Sequence, residues 1–306
     1  MLMWVCPPMA DFAPLQTALA PTLTLADVLR DSGAVAGATP DALADAQRWR
    51  RWTAIVERSD LVLTDDESAR SGLDVLGPSV HVVPDGIDPA APDGRPAPDA
   101  LRGLTGPLVG YVGDMSPALD LALLDELARR RPDWQLVLAG DGAPGVVAAR
   151  LAGHANVHVL RMTGRAQLAR CAAALDVALL PLSAREASPG WTPASMLLYA
   201  AAGVPVVSTI EPGLVDLRAG VRIASAAAGV AAAVDDQLAR RRAGEWTAAP
   251  QSVLERHGWP ERIRQVKRLI DAALARRAGG GDGAVGGSPS ARGPTAQRSA
   301  PVGVRG

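Results

Sequence analysis

The sequence predicts an α/β protein with two halves of parallel strands alternating with helices, the first half incomplete, and a disordered C-terminal tail. Three observations support this. Of 306 residues, 48% are hydrophobic but only 3% aromatic, so the cores must be built from Ala, Val and Leu, which suits helices packed on parallel strands. Short apolar runs alternate with helix-like stretches along most of the chain, as in doubly wound sheets. Residues 279–306 are Gly, Ser, Pro, Ala and Arg without hydrophobic period, too little apolar surface to offset their ordering entropy.

In the first half, residues 2–6, 23–28, 61–64 and 80–83 read as strands, the first of them buried, and 41–59 and 67–76 as helices. Residues 85–107, rich in Pro, Asp and Gly, have the composition of a linker. The expected division is a partial N-terminal domain with linker over 1–105, a second domain over 106–278 and the tail. In the second domain, 107–113, 134–139, 157–160, 177–180 and 204–208 read as strands and 164–174 as a helix. A helix over 120–131 carries Leu121, Leu124 and Leu127 at helical spacing, with acids early and arginines late, as the helix dipole favours. From Trp259 onward, Pro260 suits a first turn, and Ile263, Val266, Ile270 and Leu274 make an amphipathic helix that docks on a neighbour.

A net charge of −1, with Arg scattered among the helices, gives no footprint for nucleic acid. Cys6 and Cys171 are too few for a disulfide framework or a thiolate metal site, so the chain reads as cytoplasmic and reduced. His154 and His158 flank a strand, where a spacing of four brings no shared face, and no metal site is expected there. The apolar opening run is short and lacks a basic flank, which fits neither a signal peptide nor a membrane span.

The run Trp191-Thr-Pro-Ala-Ser-Met-Leu-Leu-Tyr-Ala-Ala201 contains no charge. Thr192 suits an N-cap, Pro193 a first turn and Gly203 a stop, so 193–202 should be a short helix between parallel strands. Its uncapped amides at Ala194 and Ser195 would present partial positive charge to a phosphate. Gly140-Asp-Gly142-Ala-Pro-Gly145 fits a dinucleotide-binding pattern, but Pro144 falls where the helix should open and the next strand ends in Arg161 rather than an acid. Asp65-Asp-Glu67 reads as a helix start rather than a metal motif. No serine sits in a nucleophile elbow.

Six stretches in chain order then carry a resemblance: Ser59-Asp-Leu-Val-Leu-Thr-Asp-Asp-Glu-Ser68, Val82-Val-Pro-Asp-Gly-Ile-Asp88, Gly110-Tyr-Val-Gly113, Leu136-Val-Leu-Ala-Gly-Asp-Gly142, Asp176-Val-Ala-Leu-Leu-Pro181 and Ala201-Ala-Gly-Val-Pro-Val-Val-Ser208. Together they resemble nucleotide-sugar glycosyltransferases of the B-type fold, with two Rossmann-like domains, and in particular the bacterial group acting on teichuronic acid and related cell-surface polysaccharides. The resemblance covers most of residues 1–275. It implies that the second domain holds the nucleotide-sugar donor and the first a glycan or lipid-linked acceptor. Sugar transfer would take place in the cleft between them with no cofactor and no essential metal. The enzyme would work in the cytoplasm, peripheral to the inner membrane face.

Carried residue by residue, the resemblance places Gly113 and Asp114 at the donor phosphates, Gly140, Asp141 and Gly142 beside the nucleotide, and Arg161 and Met162 near the base. Glu186, Thr192 and Pro193 match the family's loop and helix start, with Ala194 and Ser195 following. Asp27 and Asp31 fit an acidic pair at the end of a first-domain strand. Asp27, Asp31 and Glu186 are the candidate catalytic groups. Two departures follow. Where the family carries a Lys and a Glu on the helix after Pro193, this chain has Ser195 and Leu198. Relatives also carry a glycine-rich strand and further residues ahead of anything like 2–8. The expectation is a transferase truncated at its start or a repurposed copy; a non-catalytic homologue acting as a binding partner and an NAD(P)-dependent oxidoreductase are the alternatives.

Overall fold

The computed structural model describes residues 1–6, 8–28, 42–65, 67–76, 79–88, 96–115, 118–183 and 192–279. The expected tail lies outside the described residues except for Gly279, which ends a helix.

The first sheet is wholly parallel in the order β1 (Leu2–Val5), β2 (Leu23–Val28), β3 (Leu61–Thr64) and β4 (Val80–Val82). Its connections are α1 (Phe12–Leu19), α2 (Ala42–Val56) and α3 (Glu67–Leu73). In α2, Trp52, Ile55 and Val56 fall three and four apart, so they share one face and pack onto Met3, Val5, Ala26, Val28 and Val62 of the sheet. β1 corrects one expectation. It is the outer strand and alternates, with Met3 and Val5 buried but Leu2 43% and Trp4 48% exposed.

The second sheet contains β5 (Leu108–Val112), β6 (Gln135–Gly140), β7 (Val157–Arg161), β8 (Val177–Leu180), β9 (Val206–Ser208) and β10 (Val221–Ile223). Its order is β10-β9-β8-β5-β6-β7, again all parallel. The winding reverses between β5 and β8, which is where open α/β sheets form a ligand crevice. β5 and β8 are in register only at Val109 with Val177 and Gly110 with Ala178, then part towards their carboxyl ends.

The helices of this sheet are α4 (Leu121–Arg130), α5 (Pro144–Leu151), α6 (Arg165–Ala174), α7 (Ala194–Ala202), α8 (Ala226–Arg242) and α9 (Gln251–Arg256). Asp120 caps α4 by accepting from the Leu123 amide at 2.9 Å, and Leu123, Leu124, Leu127 and Ala128 form its buried face. Pro144 opens α5 rather than blocking it, because a missing N–H costs nothing in the first turn. Sequence periodicity had suggested neither α5 nor α8. In α8, Val230, Val234 and Leu238 are buried at a spacing of four within a run of small and charged residues.

The described residues of the link between the sheets include buried apolar anchors that its composition does not suggest. Ile87 is buried, donates its amide to the His257 carbonyl at 2.7 Å and accepts from the Trp259 amide at 3.1 Å. Leu101 is also buried in the second core. After this crossing, α10 (Trp259–Gly279) returns to the first sheet, although its sequence was expected to belong to the second unit. Val266, Leu269 and Ile270 cover Leu25, Leu61 and Leu63, the Gln265 amide donates to the Val82 carbonyl, and Arg277 pairs with Asp60 at 2.9 Å. The buried face of α10 is therefore centred on 266, 269, 270 and 273, while Ile263 and Leu274 stay exposed.

Candidate functional site

The carboxyl ends of the second sheet open into a cavity of about 420 Å³. Val112, Gly113 and Asp114 line it from the end of β5, Asp141 from the end of β6, and Met162, Thr163, Arg165 and Leu168 from the end of β7 and the start of α6. α7 supplies Ala194, Ser195, Leu197, Leu198 and Ala201. The opposite wall is the crossing between the sheets, with Asp85, Gly86, Asp88 and Trp259. The cavity thus sits at the reversal of strand order and opens towards the carboxyl edge of the first sheet.

The floor is built by close backbone approach. The Gly113 amide donates to the Ala139 carbonyl at 2.9 Å, Met115 to Asp141 at 2.9 Å and Ala143 to Met115 at 3.1 Å, so the loops after β5 and β6 extend the ladder beyond the strands. A Cβ at Gly140 would overlap the Gly113 carbonyl oxygen. Gly142 has φ +84°, a left-handed conformation that glycine adopts without strain, and lies against the Asp114 carboxylate. Gly140 and Gly142 therefore support the floor from behind and do not line the cavity. Because the glycine-rich run follows β6, it also stands off the central strand of the sheet.

α7 begins at Ala194 with Pro193 as its N-cap, and the Pro193 side chain makes no cap hydrogen bond. Thr192, expected as that cap, instead accepts at its hydroxyl from the Leu214 amide at 2.9 Å. It ties the loop after β9 to the start of α7 without touching the cavity. The start of α7 thus lines the cavity with Ala194 and Ser195, whose N–H groups lie in the first turn where an anion is favoured, while the Met196 N–H donates to the Pro193 carbonyl at 2.9 Å. The helix wall contributes no charge: Ser195 is 7% exposed, and Leu197, Leu198 and Ala201 are apolar.

Arg161 does not line the cavity. Its side chain is 73% exposed, stands 3.5 Å from Asp141 and lines a neighbouring cavity with Arg102 and Arg170. Met162 lines both cavities. Asp31 and Glu186 lie outside the described residues. Asp27, at the end of β2, accepts from the Trp4 indole at 3.1 Å. Burial raises its pKa, the Trp4 hydrogen bond opposes that shift, and the nearby charge of Asp85, itself in the cavity wall, adds to it. His154 bonds Asp125 at 2.8 Å and His158 bonds Gln135 at 2.7 Å, so both are structural. Among the described residues no group of three or more His, Cys, Asp or Glu is placed to hold a metal ion. No described helix is long and apolar enough to cross a membrane.

Seven of the expected donor residues meet in one cavity: Gly113, Asp114, Asp141, Met162, Ala194, Ser195 and Leu198. Sequence reasoning missed Arg165, Leu168 and Trp259. Trp259 had a signal, since it begins a helix with proline, but nothing in its spacing places that helix end beside β5.

Residues 106–240 match the family described as glycosyl transferases group 1. Over 167 residues the chain is 26% identical to a Bacillus subtilis protein named as a teichuronic acid biosynthesis glycosyltransferase, TuaH. That alignment covers 52% of this chain and 42% of the relative, so the chain spans less than half of the curated relative it matches. Two solved structures share the fold. The sucrose-phosphate synthase of Thermosynechococcus elongatus superposes with a TM-score of 0.64 at 19% identity, over 90% of this chain and 74% of that one. HepE of Anabaena, solved in complex with UDP, gives 0.62 at 14% identity, over 88% and 79%. With the cavity at the strand-order reversal of its second sheet, the chain has the two-sheet B-type fold, and its residues 106–240 are similar to group 1 glycosyl transferases.

Proposed function

We propose that this chain transfers a sugar from a nucleotide-sugar donor to a glycan or lipid-linked acceptor of the cell envelope, at the cytoplasmic face of the membrane and without an essential metal. The observation that carries this reading is the cavity itself, floored by the loops after β5 and β6 and walled by the segment that crosses between the sheets and by the N-terminal end of α7. In the reaction, the bond between the anomeric carbon and the diphosphate oxygen breaks and its electron pair leaves with the diphosphate. The acceptor hydroxyl oxygen bonds to the same carbon and releases its proton to water. Main-chain N–H groups at Ala194 and Ser195 are suited to the charge that develops on the leaving diphosphate, because they are fixed in place before the reaction and need no reorganisation.

A second reading has its own observation. Ser195 and Leu198 put no charge on the wall where the related transferases carry a Lys and a Glu, which favours a homologue that binds the donor without transferring its sugar. Calorimetric titration with UDP-, GDP- and ADP-sugars, followed by assay of nucleoside diphosphate release with envelope glycans as acceptors, separates the two. Binding with release supports transfer; binding without release supports the second reading; no binding of any donor sinks both.

A further inference from the structure

We propose that Arg165 binds the donor diphosphate, taking the place of a cation on α7; this rests on the donor reading of the cavity. Arg165 is the one cationic side chain among the described residues that line the cavity. The carboxylates of the same wall are engaged: Asp141 pairs with Arg161, and Asp85, Asp88 and Asp114 have partners of their own. Arg165 makes no ion pair among the described residues, and its guanidinium carbon stands 5.7 Å from the centre of the Trp259 ring across the cavity mouth.

Its position is electrostatically unfavourable without a ligand. Arg165 is the first residue of α6, with no acid in the first turn, so a full positive charge lies at the positive end of a helix dipole. A second positive helix end, that of α7, faces the same space. An anion between them relieves both, and a diphosphate suits a guanidinium, whose planar fork binds phosphate oxygens in pairs. Trp259 steadies the guanidinium at the mouth, and Gly86 gives the indole room, since a Cβ there would lie 2.6 Å from the Trp259 ring.

The test compares nucleoside diphosphates with their parent nucleosides on the full chain. UDP, GDP and ADP, then uridine, guanosine and adenosine, are titrated into wild type, Arg165→Ala and Arg165→Lys. Arg165 is exposed, so neither substitution disturbs the core. The expected result is a loss of about 10- to 100-fold in diphosphate affinity for Arg165→Ala. Nucleoside affinity should not change, the salt dependence should flatten, and Arg165→Lys should recover part of the loss. Diphosphate binding unchanged in Arg165→Ala, or an equal loss of nucleoside binding, overturns the role of the arginine alone. A wild-type chain that binds none of the three diphosphates overturns the donor reading and this proposal together.

Discussion

The Tyr199 hydroxyl accepts from the Val112 amide at 2.7 Å, joining the middle of α7 to the end of β5. It also lies 3.3 Å from the carbonyls of Val112 and Leu179, in the gap where β5 and β8 part. The phenol thus supplies the polar partner that the ladder no longer provides, in a fully buried place where burial holds its pKa well above the usual value and keeps it neutral. Tyr199→Phe should leave the Val112 N–H buried and unpaired, at a cost of about 1–3 kcal/mol. Chemical denaturation should show a lower midpoint with an unchanged slope.

Gly113 and Gly145 should respond oppositely to alanine. A Cβ at Gly113 would lie 2.5 Å from the Tyr111 hydroxyl and 3.4 Å from the Ser195 Cβ. Gly113→Ala should therefore displace the start of α7 and cost about 1–3 kcal/mol by overpacking, with weaker nucleotide binding in a calorimetric titration. At Gly145, inside α5, a Cβ meets nothing within 4 Å. Gly145→Ala should stabilise by about 0.5–1 kcal/mol with binding unaltered.

The neutral wall of α7 can be recharged. Ser195→Lys with Leu198→Glu restores the pair present in the resembled family at two positions that line the cavity. Two charged hydrogen bonds to a donor, at about 1.5–3 kcal/mol each, should tighten UDP-sugar or GDP-sugar binding by at least about tenfold. A double variant that folds and binds no tighter than wild type would remove α7 from the donor site.

The raised pKa of Asp27 sets a pH dependence. Its folded pKa lies above the unfolded value, so the folded state holds the proton longer. The stability this gives is full below the unfolded pKa and is lost as pH rises through the folded pKa. Asp27→Asn keeps an oxygen to accept from Trp4 but cannot ionise. Its melting temperature should match wild type in acid, below the ordinary carboxylate range, and exceed it at neutral pH. A constant difference across that range would show that ionisation of Asp27 plays no part.

Much of this protein was legible in its sequence because parallel strands buried on both faces must be continuous apolar runs. Leu61–Thr64, Val177–Leu180 and Leu108–Val112 show this directly. Gly203, with φ +65°, ends α7 where a stop was expected. α8 was obscured because small alanines mask its period, and β10 because its three residues are too short for any period to register. Thr192 looked like a cap because its residue type suits one, but a hydroxyl serves whichever amide the fold brings near, here that of Leu214.

The sequence by itself determined the alternation of strands and helices, the position of the glycines at strand ends and the uncharged character of α7, since these depend on local periodicity and residue type. Only the tertiary structure decided that α10 returns to the first sheet, that Arg165 and Trp259 face one another across the cavity mouth, and that Gly140 and Gly142 lie behind the floor. Those relations join residues far apart in the chain, and they follow from strand order and backbone approach, which carry no signature in the spacing of a single sequence.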